Sequence, residues 1–462
     1  MDLRLSTAVA LGKATAGLSR FLRLGGGTTM PGRVAQAVDP DVVRSLAGRL
    51  SSGVVIVTGT NGKTTTSRLI AHIVRSAGVK PVHNRAGANL AAGIAAALVQ
   101  HATMHSGMGG DLGVFEVDEA TLPVVSGALA PRSIVLTNLF RDQLDRYGEI
   151  DIVAGRWQEA LTAVPSQTAV IFNADDPLVA DVGTGHRGPR VGFGIADASC
   201  GIGVIEHAAD ARYCYRCGSR YRYDAVFFGH MGLYRCEGCG WSRPVPEILA
   251  TEVRMLGIEG TEFRLQTPAG TQHVRTTLPG VYNIHNVLAA AAACLQLNVP
   301  LDTIARRIGT FTPAFGRAEA VPLDGRQAVV LLAKNPAGFN EVLRAVLREP
   351  GDGVVMIAIN DLTADGRDIS WLWDVDFEML APGAAPIVVS GLRAEDMALR
   401  LAYAGVEAAR VTTVSSIAAA LDAAAALAGP ARRLFVLPTY TAMLELRRIL
   451  QKRGLVRGFW EQ

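Results

Sequence analysis

Along this chain, short runs of apolar and β-branched residues alternate with longer stretches whose apolar positions recur every three or four residues. Val54 to Val57 is such a run. It enters a glycine-rich turn, and the stretch beyond places Leu69, Ile70, Ile73 and Val74 at helical spacing. Val79 to His83, Val114 to Val117, Ser133 to Asn138 and Ala169 to Phe172 repeat the strand pattern, and an alanine-rich helix runs to about His101. From about Ala328 the alternation returns, with strands at Ala328–Leu332, Val354–Ile359, Pro386–Val389 and Arg433–Leu437. Near-continuous apolar strands separated by helices predict parallel sheets covered on both faces, hence an α/β fold.

The stretch from Val54 to Val74 is the most informative. Its loop reads Gly59-Thr60-Asn61-Gly62-Lys63-Thr64-Thr65. Glycines there let backbone N–H groups approach phosphate oxygens at the start of a helix, where the dipole favours negative charge. Lys63 supplies a point charge to the β and γ oxygens, and Thr64 stands where a hydroxyl would hold Mg²⁺. Val57 takes the place of the first glycine in the common G-x-x-x-x-G-K-[ST] loop, so the spacing is unusual. A nucleotide site is the reading, against a glycine turn of a purely structural βα unit.

Ligands in doubly wound sheets sit at the carboxyl ends of strands. Glu116, Asp118 and Glu119 lie at such an end. Glu116 is the first candidate for a Mg²⁺ carboxylate, with Glu119 behind it; capping of the next segment is the plainer alternative. Asn283 and Asn286 are three apart on one helix face, where their amides can read an adenine or hold a phosphate. Helix capping by Asn283 alone is the alternative there.

The length, 462 residues, suits about three domains. Residues 1–48 read as a helical lead-in, punctuated by Gly25-Gly26-Gly27 and Pro31-Gly32 before a helical stretch from Asp41 to Leu50. Residues 49–318 read as the nucleotide-binding domain, with an insert at about 205–247, and 319–462 as a C-terminal, Rossmann-like α/β domain. A net charge of +3 gives no argument for nucleic acid. No apolar run is long enough to span a bilayer, and the start lacks the compact apolar core of a signal peptide. Met1 to Leu24 intersperses Arg4, Lys13, Arg20 and Arg23 with Leu3, Leu5, Val9, Leu18, Phe21 and Leu22. It reads as an amphipathic helix lying on the protein, with contact to a membrane surface as the sharper alternative.

Four of the six cysteines form C-x2-C-x18-C-x2-C at Cys214, Cys217, Cys236 and Cys239. Each pair can bend round one ion, a glycine follows each pair, and four sulfurs make a closed tetrahedral Zn²⁺ site. Closed coordination leaves no place for water, so the metal is expected to be structural. This usage fits a reducing, cytoplasmic compartment better than a disulfide framework. Arg212, Arg216, Arg220, Arg222 and Arg235 mix with Tyr213, Tyr215, Tyr221, Tyr223 and Tyr234 around it. In so short a ribbon they read as packing and solvated surface rather than a nucleic-acid face.

The wording G-T-N-G-K-T resembles the ATP loop of the Mur ligase superfamily, which joins amines to carboxylates through acyl phosphates. Thr137-Asn138 with Asp142, Asp145 and Gly148 resembles a second family motif, although Gln143 replaces its His. Asn173-Ala174-Asp175-Asp176-Pro177 is similar to the family N-x-D-D-P. Asn283 and Asn286 match a G-x-H-N-x-x-N helix start in which Tyr282 replaces the His. Phe315-Gly316-Arg317-Ala318-Glu319 matches G-R-x-E, which implies that Arg317 clamps the nucleotide. Ala333, Asn335 and Pro336 keep part of the family D-x-A-H-N-P. Many members bind a metal through a carbamylated lysine after the second motif; no lysine lies between Lys80 and Lys334, so that device is absent.

Ala333-Lys334-Asn335-Pro336-Ala337-Gly338, the A-D-G-x-D-x-S-W of residues 364–371, Tyr440-Thr441-Ala442-Met443-Leu444 and the four-cysteine insert together are similar to one branch, the MurT ligase subunits of lipid II isoglutaminyl synthase. The resemblance implies peptidoglycan chemistry: ATP-dependent amidation of the D-glutamate α-carboxyl of the lipid II stem peptide. It implies ammonia from a separate, GatD-like glutaminase, and a ligase aspartate that orients the glutaminase His. By position that aspartate is Asp368, with Asp365 second. The residues agree with the split, because making ammonia from glutamine needs an activated thiolate. Outside the metal motif, Cys294 reads as core and Cys200 has no nucleophile context. ATP would bind from Gly59 to Thr65, with Mg²⁺ on Thr64 and Glu116 and the charge neutralised by Lys63 and Arg317. An amino-acid-adding ligase of folylpolyglutamate synthase type, or a zinc-ribbon scaffold gated by ATP, are the competing readings.

Overall fold

The computed structural model describes residues 3–21, 29–84, 88–103, 107–141, 150–203, 205, 209–312, 317–323, 326–349, 351, 353–429 and 432–456. The first eleven strands are β1 (Val54–Thr58), β2 (Pro81–His83), β3 (Leu112–Glu116), β4 (Ser133–Leu136), β5 (Ala169–Asn173), β6 (Arg190–Ile195), β7 (Tyr221–Phe228), β8 (Met231–Cys236), β9 (Ile248–Met255), β10 (Thr261–Thr267) and β11 (Gly270–Thr276). Nine of them make one sheet in the order β11-β10-β9-β6-β5-β4-β1-β3-β2. Pairing is parallel from β2 to β9 and antiparallel across β9, β10 and β11.

All five β1 residues are buried. Val54 and Ile56 face one apolar cluster, and Val55 and Val57 face the other. That alternation explains why the strand reads as an unbroken apolar run: its period of two serves two cores. β1 is also where the strand order reverses, since the chain fills β2 and β3 on one side and β4 to β6 on the other. A crevice opens at the carboxyl end of such a strand, and the glycine loop lies there.

The remaining strands are β12 (Arg317–Leu323), β13 (Arg326–Leu331), β14 (Val354–Ala358), β15 (Ile387–Ser390), β16 (Val411–Thr413) and β17 (Leu434–Pro438). They form a second sheet, β12-β13-β17-β14-β15-β16, antiparallel only at β12–β13. β14 again alternates between two cores. β7 and β8 form a separate two-stranded hairpin inserted between the paired strands β6 and β9.

Two elements differ from the sequence expectation. Pro31-Gly32 does not break the lead-in but sits in the first turn of the helix Met30–Val38, where proline lacks no needed hydrogen bond. A Cβ on Gly32 would come within 1.9 Å of the Ala92 carbonyl oxygen, so this glycine serves close packing of two helices. The antiparallel extension β9–β11 lies outside the strand–loop–helix pattern that the sequence displays. Among the described residues, no helix is long and apolar enough to cross a membrane.

Candidate active site and metal centre

β1 delivers the chain to Gly59 at φ 134° and Gly62 at φ 85°, conformations that favour glycine. Space imposes the same choice. A Cβ on Gly59 would lie 2.1 Å from Thr137 Oγ1, and one on Gly62 would lie 2.0 Å from Asn286 Oδ1. The residues between them are fixed individually. Thr60 Oγ1 accepts from Phe140 N at 3.0 Å and donates to Phe140 O at 3.2 Å. Asn61 N donates to Asn138 Oδ1 at 2.8 Å, while Asn61 O accepts from Thr137 Oγ1 at 2.8 Å and Asn138 Nδ2 at 3.1 Å.

Lys63 opens the helix Lys63–Ser76 and is buried. Its Nζ donates to Glu119 Oε2 at 2.8 Å, to Thr60 O at 3.1 Å and to Gly59 O. Burial opposes its charge, but Glu119, Glu116 and Asp118 outweigh that and hold its pKa above the ordinary value. Thr64 Oγ1 donates to Glu116 Oε2 at 2.9 Å. Glu116 is positioned in turn by Asn84, whose Oδ1 accepts from Glu116 N at 2.9 Å and whose Nδ2 donates to Glu116 O at 2.8 Å. Thr64 and Glu116 thus form a buried hydroxyl–carboxylate pair of the kind that holds a hard cation. Thr65 is buried in the same turn. His83 Nε2 sits 3.1 Å from Ser67 Oγ beneath it, and burial, with Arg68, Arg75 and His101, pulls its pKa down to about 4.

Asn283 and Asn286 lie on the helix Val281–Gln296. Asn283 does not cap it: Gly280 precedes the first turn, and Asn283 Nδ2 donates to Pro279 O at 2.7 Å. Asn286 Nδ2 donates to Asn283 Oδ1 at 2.9 Å, leaving Asn286 Oδ1 against Gly62. Arg317 begins β12, but its side chain, with Phe315 and Gly316, is outside the described residues, as are Asp142, Gln143, Asp145 and Gly148.

One contact joins distant parts of the chain. Asn335, from the C-terminal domain, caps the helix Pro336–Leu347 through its Oδ1, and its Nδ2 donates to Asn61 Oδ1 at 2.9 Å. The signal was present as part of the A-K-N-P match, but no spacing rule joins residues this far apart in the chain.

The two candidate loop aspartates separate. Asp365 is buried and caps the helix Tyr440–Lys452, accepting from Thr441 N at 2.8 Å and from Thr441 Oγ1. Burial raises its pKa in spite of those bonds. Asp368 is exposed, and its Oδ1 accepts from Ser370 N at 2.8 Å. Bonds from Ser370 hold its pKa below the ordinary value. Cys200 and Cys294 are both buried, and desolvation pushes the Cys200 thiol up to about 12 and Cys294 well above its ordinary value. Neither is an available thiolate at neutral pH.

The sulfurs of Cys214, Cys217, Cys236 and Cys239 lie within 4.8 Å of one another. Cys214 and Cys239 are 3.7 Å apart and Cys217 and Cys236 3.4 Å. Sulfurs held about 2.3 Å from one tetrahedral ion would stand about 3.7 Å apart, so this donor set fits a metal. Gly218 and Gly240, at φ 73° and 74°, turn the chain out of each pair. The surrounding aromatics pack: Tyr221, Tyr223 and Tyr234 meet ring to ring. Arg216 stacks 3.6 Å over Trp241 and pairs with Asp181.

Comparison with known proteins agrees with this geometry. Residues 57–216 match the Mur ligase middle domain, and residues 332–443 match the MurT ligase C-terminal domain. Over 461 residues the chain is 32% identical to the lipid II isoglutaminyl synthase (glutamine-hydrolyzing) subunit MurT of Streptococcus pneumoniae (strain ATCC BAA-255 / R6), with 99% of each chain covered. This chain belongs to the MurT family. A MurT of Staphylococcus aureus (strain N315) is 35% identical over 88% of this chain and 89% of its own. The fold of this MurT-family chain is shared with a pseudomurein peptide ligase type C from Methanothermus fervidus, at TM-score 0.67 and 22% identity over 88% and 80% of the two chains. Mycobacterium tuberculosis folylpolyglutamate synthase shares it at TM-score 0.62 and 16% identity over 88% and 94%. The Mur ligase-like α/β fold, the four-cysteine cluster and the MurT C-terminal domain therefore coexist in one chain.

Proposed function

We propose that this chain is the ligase subunit of a lipid II isoglutaminyl synthase, amidating the D-glutamate α-carboxyl of the stem peptide with ATP and ammonia. The observation that carries the reading is the buried set Lys63–Glu119 and Thr64–Glu116 at the mouth of a glycine loop, in a chain similar to MurT subunits along nearly its whole length. ATP is a substrate here. Backbone N–H groups from Gly59 to Thr65 bind its phosphates, Lys63 and Arg317 balance their charge, and Asn283 and Asn286 close the site from the facing helix. Thr64 and Glu116 would hold Mg²⁺, which would supply charge neutralisation to the phosphates.

The γ-phosphoryl group passes to a carboxylate oxygen, releasing ADP and leaving an acyl phosphate. The ammonia lone pair then attacks the carbonyl carbon. The C–O bond to phosphate breaks, phosphate leaves, and the nitrogen loses a proton to give the amide. With Cys200 and Cys294 sequestered, ammonia comes from a GatD-like glutaminase whose His is oriented by exposed Asp368. Cys214, Cys217, Cys236 and Cys239 would hold a structural Zn²⁺. Nucleic acid is no part of this activity.

The substrate's lipid anchor puts the work at the inner face of the plasma membrane. Leu3, Leu11, Leu18 and Phe21, exposed along the first helix, offer a peripheral contact that co-sedimentation with anionic vesicles would test.

The deciding experiment measures ATP turnover and product mass with lipid II, Mg²⁺ and ammonium, using this chain alone. ADP release with loss of about one mass unit (carboxyl to amide) is the expected outcome. Idle ATPase in the presence of substrate and ammonium would overturn the ligase reading.

A further inference from the structure

The ribbon hairpin reaches well beyond the four sulfurs. Cys236 ends β8 and Met231 begins it, a span of about 17 Å for an extended strand. Three contacts run from the hairpin and the segment just after it to three consecutive residues of the phosphate loop.

The first runs through aromatic packing. Phe228 stacks on Phe140, ring centroids 5.5 Å apart, and Phe140 is the backbone partner of Thr60 Oγ1 on both its N–H and its carbonyl. The second is polar. Asn173 Nδ2 lies 3.2 Å from Met231 Sδ and donates to Thr137 O at 3.0 Å, and Thr137 Oγ1 donates to Asn61 O. The third begins just past the last cysteine. Arg243 Nε donates to Asp175 Oδ1 at 2.6 Å, and the other oxygen of that carboxylate accepts from His285 Nε2 at 2.7 Å. His285 precedes Asn286, whose Oδ1 lies against Gly62. Asp175 is wholly buried, and a Cβ on Gly194 would fall 2.3 Å from its Oδ1 and 2.5 Å from an Arg243 nitrogen, so β6 leaves room for the pair. Among the described residues the Nδ1 of buried His285 finds no hydrogen-bond partner, and the ring is held from its Nε2 side.

We propose that the ribbon hairpin positions the phosphate loop: Phe228, Met231 and Arg243 act through Phe140, Asn173 and the Asp175–His285 pair to hold Thr60, Asn61 and Gly62 in nucleotide-binding geometry. The proposal rests on the reading of this loop as the ATP site. It assigns the insert a task in nucleotide affinity, and makes Arg243, Asp175 and His285 positioning residues that touch no substrate.

The test uses the full chain in complex with its glutaminase. Affinity for ATP–Mg²⁺ is measured by calorimetry for wild type, Arg243→Met, Arg243→Lys and Phe228→Leu, alongside zinc content and kcat at saturating ATP with ammonium. Arg243→Met should bind nucleotide about tenfold more weakly while retaining its zinc and a kcat within about twofold of wild type. Arg243→Lys should recover part of the loss, since it keeps the charge without the planar fork. Phe228→Leu, on an independent line, should weaken binding about threefold. Nucleotide binding within about twofold of wild type in both Arg243→Met and Phe228→Leu overturns the proposal. So does weakened binding that appears only with loss of zinc, because ribbon unfolding would then explain it. If Arg243→Met does not fold, Phe228→Leu decides alone. A wild-type chain that binds no nucleotide overturns the ATP reading itself, whereas wild-type binding with unchanged variants overturns the positioning alone.

Discussion

The loop after β1 and the loop after β14 both leave the carboxyl end of a parallel strand, yet they are built in opposite ways. In the first, Thr60, Asn61, Lys63 and Thr64 are each tied to a residue far along the chain. In the second, Leu362, Arg367, Asp368 and Trp373 are exposed, and Asp368 bonds within its own turn. A small polyanion is best served by donors fixed in advance in a low-dielectric crevice. A protein partner needs side chains that reach solvent. The contrast fits the proposed division, in which one loop carries ATP chemistry and the other meets the glutaminase.

The severest way to break this division is Lys63→Met. It removes the charge offered to phosphate and strands Glu119 beside Glu116 and Asp118. Turnover driven by ammonium and by glutamine should both fall by about 10³-fold or more. Unfolding should also come earlier, because breaking a buried pair costs about 3–5 kcal/mol. Turnover within tenfold of wild type by either route would remove the phosphate loop from the chemistry.

Asp368→Asn sharpens the comparison from the other side. An orienting carboxylate is expected to matter only where the glutaminase His works. Glutamine-driven turnover should fall on the order of 10²-fold while ammonium-driven turnover stays unchanged. An equal fall in both would place Asp368 in the ligase site.

Acid should find the first loop before the second. His83, half-buried beside the helix Lys63–Ser76, is held neutral with a pKa of about 4 against an ordinary 6.5. A lowered base pKa means that between those values the unfolded chain binds a proton that the folded chain does not. Stability therefore falls as pH drops from 6.5 to 4, by about 3 kcal/mol in all. Urea midpoints across that range measure it, and His83→Gln should flatten the slope. An unchanged slope would mean that His83 is already protonated in the fold.

Legibility followed the same division. The Gly59–Thr65 loop, Glu116 and the four cysteines were readable because contiguous or closely spaced residues make each device. The strands β1 and β14 were readable because a strand buried on both faces keeps an unbroken apolar run. Asn335 reaching Asn61, Arg243 reaching Asp175 and the helix at Pro31 were not, since each depends on which distant surfaces meet. Asp365 and Asp368 show the limit most plainly. Three residues apart in one motif, they face opposite ways because the start of the helix Tyr440–Lys452 lies beside one of them.

That helix start gives the mildest prediction. Asp365 accepts from both Thr441 N and Thr441 Oγ1. Asparagine keeps one acceptor, and the threonine hydroxyl can turn to accept from the new amide, so Asp365→Asn should cost about 1 kcal/mol. The sign of its pH dependence is set by a raised carboxyl pKa. The contribution of Asp365 is fully present below its ordinary 3.8 and declines as pH rises toward the raised value. Wild type and variant should therefore differ most below pH 3.8 and converge as pH rises through the raised value, as denaturant midpoints would show. The ratio of glutamine-driven to ammonium-driven turnover should not move. If that ratio fell while the midpoint held, the inward aspartate rather than exposed Asp368 would carry the message between subunits.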